Sequence, residues 1–424
     1  MFRSNVRRTI DPSKDTQFSD AWIVLAVILT AVGVATDSRY LTAAAMLLLA
    51  TIGLTWLWSR LSLRGVSYER RFSEIRAFRG ETIELALTVR NRKPLPLTWL
   101  TARDVFPQEL PVAEKQLQAN PTTNMADFST FWMPGPYQNV TRRYLVDCVE
   151  RGFHDYGPVR LETGDPFGFF SRHKLMPQTQ RLIVYPQLYT VADLRLPAKN
   201  PFGEAQSTGR LFEDPLRTVG IREWQETDSP RRIHWKATAR RQTMLSRVYE
   251  PSEEQQVMLF LNVATLERHW HGYLPELQER TISVAGSLAA LAADLRLPAG
   301  LTANGALPGS DQPIRLLPGR GPNHLVRILE LLAAVTPFAT APIEQMLLQE
   351  APRMPWGATL VVVTAIAHDD LLATIVDLAA ARRKMVLFTL AKEPPVRLLN
   401  GVTVYHLPHL IDDLIAPALV QEGT

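Results

Sequence analysis

The sequence predicts an α/β plus β protein with two N-terminal transmembrane helices, an antiparallel β-sandwich-like domain and a C-terminal doubly wound α/β domain. Three patterns indicate this architecture. Two apolar runs without charged residues stand near the N-terminus, short period-two stretches broken by turn residues follow, and apolar strands then alternate with amphipathic helices. The predicted boundaries are 1–20 for a cytoplasmic tail, 21–64 for the helical hairpin, 65–194 for the β domain, 195–250 for a linker with a basic signature, and 251–424 for the α/β domain.

Bulk composition excludes several classes of protein. The chain of 424 residues carries 46 Lys and Arg against 42 Asp and Glu, a net charge of +4. This balance is not that of a polycation that neutralises many phosphates, so bulk charge does not predict nucleic-acid binding. The single cysteine, Cys148, excludes an intramolecular disulfide and an all-cysteine metal site, and its place in a β run indicates a structural thiol.

The apolar runs AWIVLAVILTAVGVAT and LTAAAMLLLATIGLTWLWS are separated only by DSRY. A helix needs about 20 apolar residues to cross the hydrocarbon core, so the second run is long enough and the first is short. Basic residues flank the outside of the pair, and the positive-inside rule therefore places both termini and the soluble domains in the cytoplasm. A signal peptide and a buried core hairpin are the alternatives.

The β region begins with the period-two stretch ETIELALTVRN and contains the turn sequence GDPFGFF. Asp165 before Pro166 predicts an Asx-type turn, with Phe167, Phe169 and Phe170 as apolar anchors.

The α/β region places any ligand at the carboxyl ends of its strands. A metal site there needs Asp-x-Ser-x-Ser, but the aligned residues are Asn262, Ala264 and Leu266, which indicates a degenerate site without metal. No phosphate-binding loop or other cofactor motif is present in the sequence, and we expect no cofactor.

Five further polar residues in this region are predicted to be structural. His368, Asp369 and Asp370 are expected to open a helix, where acids complement the helix dipole. His269 and His271 are expected to be loop residues rather than metal ligands, because no further histidine or cysteine stands near them.

The segment DSPRRIHWKATARR, residues 228–241, concentrates cations around one tryptophan. Ser229 and Pro230 predict the start of a helix that runs to Arg241, on which Arg232, Lys236 and Arg240 share an arc of about 80°.

Apolar neighbours, Ile233 and Trp235 among them, border this predicted stripe, so we expect partly buried cations paired with acids. The candidate acids nearby in sequence are Glu223, Asp228, Glu250, Glu253 and Glu254. The segment is then either an internal ion-pair network that joins the β domain to the α/β domain, or a site for an anion or an acidic partner segment.

The longer stretch REWQETDSPRRIHWKATAR resembles the hallmark of bacterial domain-of-unknown-function family 58, R-E-Y-x-x-G-D-x-x-R-x-I-x-W-K-A-S-A-R. The matching residues are Arg222, Glu223, Asp228, Arg231, Ile233, Trp235, Lys236, Ala237, Ala239 and Arg240. Trp224, Thr227 and Thr238 depart from the pattern. The resemblance implies two membrane spans, a β domain, a von Willebrand factor type A-like region, the bacterial inner membrane, and an association with MoxR-type AAA+ ATPases.

The preferred hypothesis is a membrane-anchored, non-enzymatic scaffold or adaptor that binds a protein partner, such as a MoxR-type AAA+ ATPase, in envelope assembly or maintenance. Its partner- or anion-binding residues are predicted to be Arg222, Glu223, Asp228, Arg231, Arg232, Trp235, Lys236 and Arg240. Two alternatives stay open. One is an enzyme with an Arg, Glu and His site within residues 222–241, and the other is nucleic-acid binding through the basic helix.

Overall fold

The computed structural model describes residues 19–112, 118–119, 124–168, 170–197, 201–202, 213–226, 228–251, 256–266, 272–355, 357–394 and 399–412. The chain divides into two compact units, Met1–Tyr185 and Pro186–Thr424.

The first unit opens with a helical hairpin at the position of the two predicted apolar runs. Helix α1 (Ser19–Ala35) has 17 residues and helix α2 (Arg39–Ser62) has 24. At about 1.5 Å per residue, α1 is roughly 25 Å long, shorter than a hydrocarbon core of about 30 Å. Among the described residues, α2 is the one helix long and apolar enough to cross a membrane.

The rest of the first unit is built from short strands. They are β1 (Val66–Phe72), β2 (Arg76–Phe78), β3 (Thr82–Asn91), β4 (Leu100–Pro107), β5 (Gln118–Ala119), β6 (Met125–Trp132), β7 (Asn139–Asp147), β8 (Gly152–Tyr156), β9 (Val159–Gly164), β10 (Ser171–Met176) and β11 (Gln180–Tyr185). They form three sheets with the orders β1-β3-β7, β10-β9-β4-β6-β5 and β2-β11-β8. The pairs are antiparallel except β2 with β11, which is parallel. The sheets enclose one apolar core, into which β3 turns every second side chain.

The turn at Asp165 forms as the sequence predicts. The Asp165 carboxylate accepts hydrogen bonds from the backbone amides of Phe167 (2.9 Å) and Phe170 (2.6 Å). The expectation that Phe167 anchors this turn is wrong, because its side chain is 68% exposed at the tip of the β9–β10 hairpin. Phe169 lies outside the described residues.

Cys148 is a structural thiol, as predicted. Its side chain is fully buried in the core of the first unit and forms no disulfide. Burial raises the pKa of the Cys148 thiol to about 11, so little reactive thiolate is present at neutral pH.

The first strands of the second unit among the described residues form a two-stranded antiparallel ribbon. They are β12 (Glu213–Glu223) and β13 (Leu245–Pro251), and helix α3 (Trp235–Arg241) lies between them in the chain. The sequence predicts residues 65–194 as the β domain and 195–250 as a linker with the signature, whereas Leu194, Leu196 and Phe202 are buried in the core of the second unit.

A six-stranded sheet covered by helices on both faces follows the ribbon. Its strands are β14 (Val257–Leu261), β15 (Ala299–Ala306), β16 (Pro313–Gly319), β17 (Thr359–Thr364), β18 (Lys384–Thr389) and β19 (Val402–His406). The helices are α4 (Pro275–Asp294), α5 (Pro322–Ala334), α6 (Ile343–Glu350) and α7 (Asp369–Ala380). The strand order is β16-β15-β14-β17-β18-β19, and all pairs are parallel except β15 with β16.

The central strands of this sheet are buried on both faces. Leu259 and Leu261 face a core formed with α4 and α5, whereas Met258 and Phe260 face a core formed with α6 and α7. This two-sided burial explains why the strands appear in the sequence as continuous apolar runs rather than as alternating ones.

Candidate functional site

The first candidate site is the carboxyl edge of the parallel sheet between β14 and β17. The chain continues from β14 to β15 on one side and reaches β17 on the other, so the strand order changes direction here. Doubly wound sheets bind ligands at such a switch point.

In this protein the switch point is occupied by hydrogen-bonded side-chain amides. Asn262, which is 2% exposed, follows β14, and its Oδ1 accepts hydrogen bonds from the backbone amide of Ala264 (3.1 Å) and Nδ2 of Asn304 (2.8 Å). Its Nδ2 donates to Oγ1 of Thr364 (3.0 Å), which donates in turn to the carbonyl of Ile366. The polar atoms of the Asn262 side chain are thus committed to the protein itself.

The residues aligned with a metal motif provide little else for a cation. Ala264 and Leu266 carry no side-chain oxygen, and Oγ1 of Thr265 accepts a hydrogen bond from the backbone amide of Leu274 (2.8 Å). Within the described ranges, no group of three or more His, Cys, Asp or Glu side chains is arranged to hold a metal ion. His269 and His271 lie outside those ranges.

The polar residues after β17 open a helix, as predicted. His368 is the N-cap residue of α7, and Asp369 and Asp370 lie in its first turn, where they complement the helix dipole. Nε2 of His368 lies 3.5 Å from Glu344 on the neighbouring helix α6.

Replacing Asn262 by aspartate is expected to lower the free energy of unfolding of the second unit by about 1–3 kcal/mol. The new carboxylate oxygen faces Oγ1 of Thr364, whose proton is already donated to Ile366, so the amide bond is lost without replacement. Urea unfolding measures this change in the absence and in the presence of Mg²⁺ or Mn²⁺. The ions are added at about 5 mM, which is on the order of the Kd of a weak site. Recovery of stability by either ion would show that the site needs only one carboxylate to bind metal.

The second candidate site is the end of the β12–β13 ribbon, which carries the signature. We call residues 222–226 and 228–245 the signature tip. The backbone amides of Trp224 and His234 donate to the carbonyls of Met244 (2.9 Å) and Leu245 (2.8 Å), and Ile233 pairs with Ser246. These bonds fold the segment between the two strands back onto β13.

The predicted single helix from Pro230 to Arg241 is wrong. Pro230–Arg232 forms a 3₁₀ turn without a side-chain cap from Ser229, and the chain is extended at Ile233. Helix α3 begins only at Trp235, where Nδ1 of His234 accepts a hydrogen bond from the backbone amide of Ala237 (3.1 Å).

The physical reason for this break is Ile233. The side chain of Ile233 is buried and its backbone pairs with β13, and this strand pairing outweighs the helix-start signal of Ser229 and Pro230. Arg232 therefore lies on a different element from Lys236 and Arg240, and the continuous stripe of three cations does not form.

The expectation that the signature cations are partly buried is also wrong for most of them. Arg231, Lys236 and Arg240 are exposed, and Trp235 beside them is 67% exposed. Arg232 is half-buried, and its charge adds to the hydrogen bonds from Gln225 and Arg222 that lower the pKa of Asp228. The tip therefore presents an aromatic ring with cations around it.

The tip also contains an ion pair. Nη2 of Arg222 lies 2.5 Å from Oδ1 of Asp228, and Oδ2 of Asp228 accepts a hydrogen bond from the backbone amide of Gln225 (3.1 Å). Asp228 is buried, whereas Glu223 is exposed. The Glu250 side chain, Glu253, Glu254 and Thr227 lie outside the described residues.

We expect the Asp228 contacts to make the stability of the tip depend on pH. The hydrogen bond from Gln225, followed by that from Arg222, lowers the pKa of Asp228 below its ordinary value of 3.8, although burial opposes this shift. Because the folded pKa lies below the unfolded one, the stabilisation is complete above about pH 4 and is lost as the pH falls through the folded pKa.

Hydrogen exchange of peptides spanning 224–234, corrected for intrinsic rates, tests this in the wild type and the Asp228→Asn variant. We expect the wild type to be better protected by a constant amount between pH 7 and pH 5, and this advantage to decline as the pH falls from about 4 through the folded pKa of Asp228. An Asp228→Asn variant as well protected as the wild type between pH 7 and pH 5 would show that the Asp228 carboxylate does not hold the tip.

Sequence reasoning missed several residues of the ribbon next to the tip. Ile221 and Met244 are exposed apolar side chains, and Ser246 is fully buried opposite Arg222. The alternating segments GIRE and RVYE indicate two strands. They do not give the pairing register between these strands, which brings Ile221, Met244 and Ser246 together.

Two polar side chains of the tip form hydrogen bonds with the backbone. His234 uses Nδ1 as the α3 cap, and Oγ1 of Thr238 accepts a hydrogen bond from the backbone amide of Leu245 (3.1 Å). An exposed tryptophan next to arginine and lysine is typical of residues that contribute most to protein interfaces.

The described residues thus define a two-unit α/β plus β protein with a basic ribbon at the start of its α/β unit. Residues 220–400 match the family model described as "Protein of unknown function DUF58". This match confirms the resemblance that the signature carries.

One relative and two solved structures show how far further similarity extends. "Uncharacterized protein YeaD" of Bacillus subtilis (strain 168) is 23% identical over 206 residues, 47% of this chain and 48% of the relative, so the match spans about half of that protein. A cohesin module from a Clostridium perfringens ATCC13124 family 33 glycoside hydrolase is 7% identical over 28% of this chain and 96% of its own, with a TM-score of 0.21. The alkylpurine DNA glycosylase AlkC of Pseudomonas fluorescens is 13% identical over 38% of this chain and 46% of its own, with a TM-score of 0.19. Scores this low carry no argument about fold or function.

Proposed function

We propose that the protein is a membrane-anchored, non-enzymatic adaptor whose signature tip binds an acidic segment of a protein partner. The observation that carries this proposal is the exposure of Trp235 beside the exposed cations Arg231, Lys236 and Arg240. Burying an exposed tryptophan supplies apolar area, and the surrounding cations select a partner of negative charge.

The helical hairpin supports the membrane anchor. Side chains such as Met46, Leu47 and Leu54 are exposed on α2, as expected for a helix that faces lipid. Arg60 and Arg64 follow the apolar run at its carboxyl end, so the positive-inside rule favours a cytoplasmic position for this end. With α1 as a short second span, both termini and the two units lie at the cytoplasmic face of the bacterial inner membrane.

The architecture of the second unit supports a role in binding a protein partner without a metal ion. Its strand order, with one antiparallel strand at the edge, agrees with a von Willebrand factor type A-like domain, and its switch point is filled by Asn262, Asn304 and Thr364. The family resemblance suggests a MoxR-type AAA+ ATPase as the partner and envelope assembly or maintenance as the process.

Affinity capture from detergent-solubilised native membranes tests the proposal. We compare the wild type with the charge reversal Lys236→Glu in the tip and with Arg296→Glu, which reverses an exposed cation after α4. Quantitative mass spectrometry is expected to recover a protein with an acidic surface segment from the wild type and from Arg296→Glu, but not from Lys236→Glu. Equal recovery from all three would reject the tip as the interface.

Nucleic acid is the second candidate, because an exposed aromatic ring among cations also suits stacking and phosphate contacts. Nuclease treatment before capture distinguishes a protein partner from nucleic acid. Binding to single-stranded DNA with an affinity that falls steeply as the salt concentration rises would favour nucleic acid. A protein partner that is still captured after nuclease treatment favours the adaptor proposal.

A further inference from the structure

The carboxyl end of helix α2 is fixed to the β strands of the first unit. Nζ of Lys93 donates hydrogen bonds to the carbonyls of Leu61 (3.0 Å) and Ser62 in the last turn of the helix. Strand β1 begins at Val66, and α2 also contacts β9 and β10. A helix that crosses a bilayer would therefore hold this end of the β strands at the membrane surface.

Three loops meet at this end of the first unit. The backbone amide of Tyr137 donates to the carbonyl of Lys93 (3.1 Å), and Nδ2 of Asn91 donates to the carbonyl of Gly135 (2.8 Å). Oγ1 of Thr98 donates to the carbonyl of Gly164, where the β9–β10 hairpin turns (3.1 Å). We call residues 92–99, 133–138, 165–168 and 170 the helix-proximal loops.

The helix-proximal loops expose large apolar side chains. Met133 is 64% exposed, and Tyr137 and Phe167 are each 68% exposed. Phe167 is held outward by the Asp165 turn, whose carboxylate accepts from the Phe167 amide. Exposed aromatic side chains on several loops at one end of a domain are typical of an interaction surface.

Cations surround these apolar side chains. The exposed basic residues on the helix end, the loops and the adjoining strand are Arg60, Arg64, Arg92, Arg172 and Lys174. Aromatic residues that partition to the headgroup level, together with surrounding cations, complement an anionic lipid surface in both polarity and charge.

We propose that the helix-proximal loops dock on an anionic lipid bilayer, with Met133, Tyr137 and Phe167 at headgroup depth and the cations against lipid phosphates. This proposal rests on the membrane anchoring proposed above. Because α2 tethers the loops to the same bilayer, docking is intramolecular and weak contacts are sufficient to hold it. The first unit is then oriented on the membrane rather than free to rotate about the end of α2.

Single-cysteine labelling of the full chain in lipid nanodiscs tests the docking. The native Cys148 is fully buried, so a polarity-sensitive thiol dye reports only on an introduced cysteine. The reporters are Phe167→Cys and Tyr137→Cys in the loops, Ile75→Cys as an exposed control beyond the far end of β1, and Leu57→Cys as a control within α2. Quenching by nitroxide-labelled lipid measures contact with the bilayer.

We expect strong quenching at positions 167, 137 and 57 and weak quenching at 75 in nanodiscs that contain phosphatidylglycerol. Arg172→Gln is expected to lower the ratio of docked to undocked protein about fivefold, as for about 1 kcal/mol per basic residue near the surface. Quenching at 57 with none at 167 and 137 would overturn the docking alone, whereas no quenching at 57 would overturn the membrane anchor itself. Equal quenching at 167 in uncharged phosphatidylcholine would overturn the requirement for anionic lipid.

Discussion

Replacing Asp104 by alanine is expected to lower the free energy of unfolding of the first unit by about 3–5 kcal/mol. The carboxylate of Asp104 on β4 is fully buried and lies 2.7 Å from Nη1 of Arg70, whose side chain is only 4% exposed. It also accepts a hydrogen bond from the Tyr68 hydroxyl (3.0 Å). The substitution would leave the Arg70 guanidinium buried without its counter-charge.

A double replacement is the matched control for this prediction. Burial raises the pKa of Asp104 to about 7 although Arg70 and Tyr68 act in the opposite direction, so desolvation of the pair is costly. Arg70→Met combined with Asp104→Leu removes that cost and is expected to unfold within about 1 kcal/mol of the wild type. Urea unfolding in detergent, with hydrogen exchange of peptides from β1 and β4 as the readout, measures the free energy of unfolding of both variants. A single variant as stable as the double one would show that the pair is not energetically coupled.

Replacing Trp235 by alanine is expected to weaken partner binding by at least about 2 kcal/mol, or roughly 30-fold in Kd. The side chain is 67% exposed, so its removal creates little cavity and is expected to leave the fold of the tip intact. Titration of the captured partner against the purified chain in nanodiscs measures the change.

The control for Trp235 is Leu317→Ala. Leu317 is 70% exposed on strand β16, and its replacement removes an exposed apolar side chain outside the tip. Binding that weakens equally in both variants would point to nonspecific apolar adhesion rather than to a tip-centred interface.

Local patterns in the sequence predict much of the fold. The apolar runs predict α1 and α2, the alternation in β3 predicts a strand with one buried face, and the continuous apolar run of β17 predicts a strand buried on both faces. Each of these signals depends on neighbours along the chain, which sequence periodicity reports directly.

The features that periodicity does not predict depend on pairing between distant residues. Ile233 is extended because it pairs with Ser246, and this contact overrides the helix start at Ser229 and Pro230. Asn262 closes the switch point because β15 and β17 bring Asn304 and Thr364 beside it.

The helix-proximal loops are missed for the same reason. Their convergence depends on the hydrogen bonds of Lys93 with α2 and of Thr98 with Gly164, which join residues far apart in the chain. Phe167, which the sequence predicts as an apolar anchor of the turn, is 68% exposed at the Asp165 turn instead.

The most direct test of the adaptor proposal is photo-crosslinking from position 235 in native membranes. A photoreactive amino acid replaces Trp235 in one variant and Leu317 in the control, and the crosslinked products are identified by mass spectrometry. We predict one dominant protein adduct from position 235, absent from position 317 and lost when Lys236→Glu is added. Adducts only to nucleic acid, or the same adducts from both positions, would contradict the assignment of the signature tip as a protein interface.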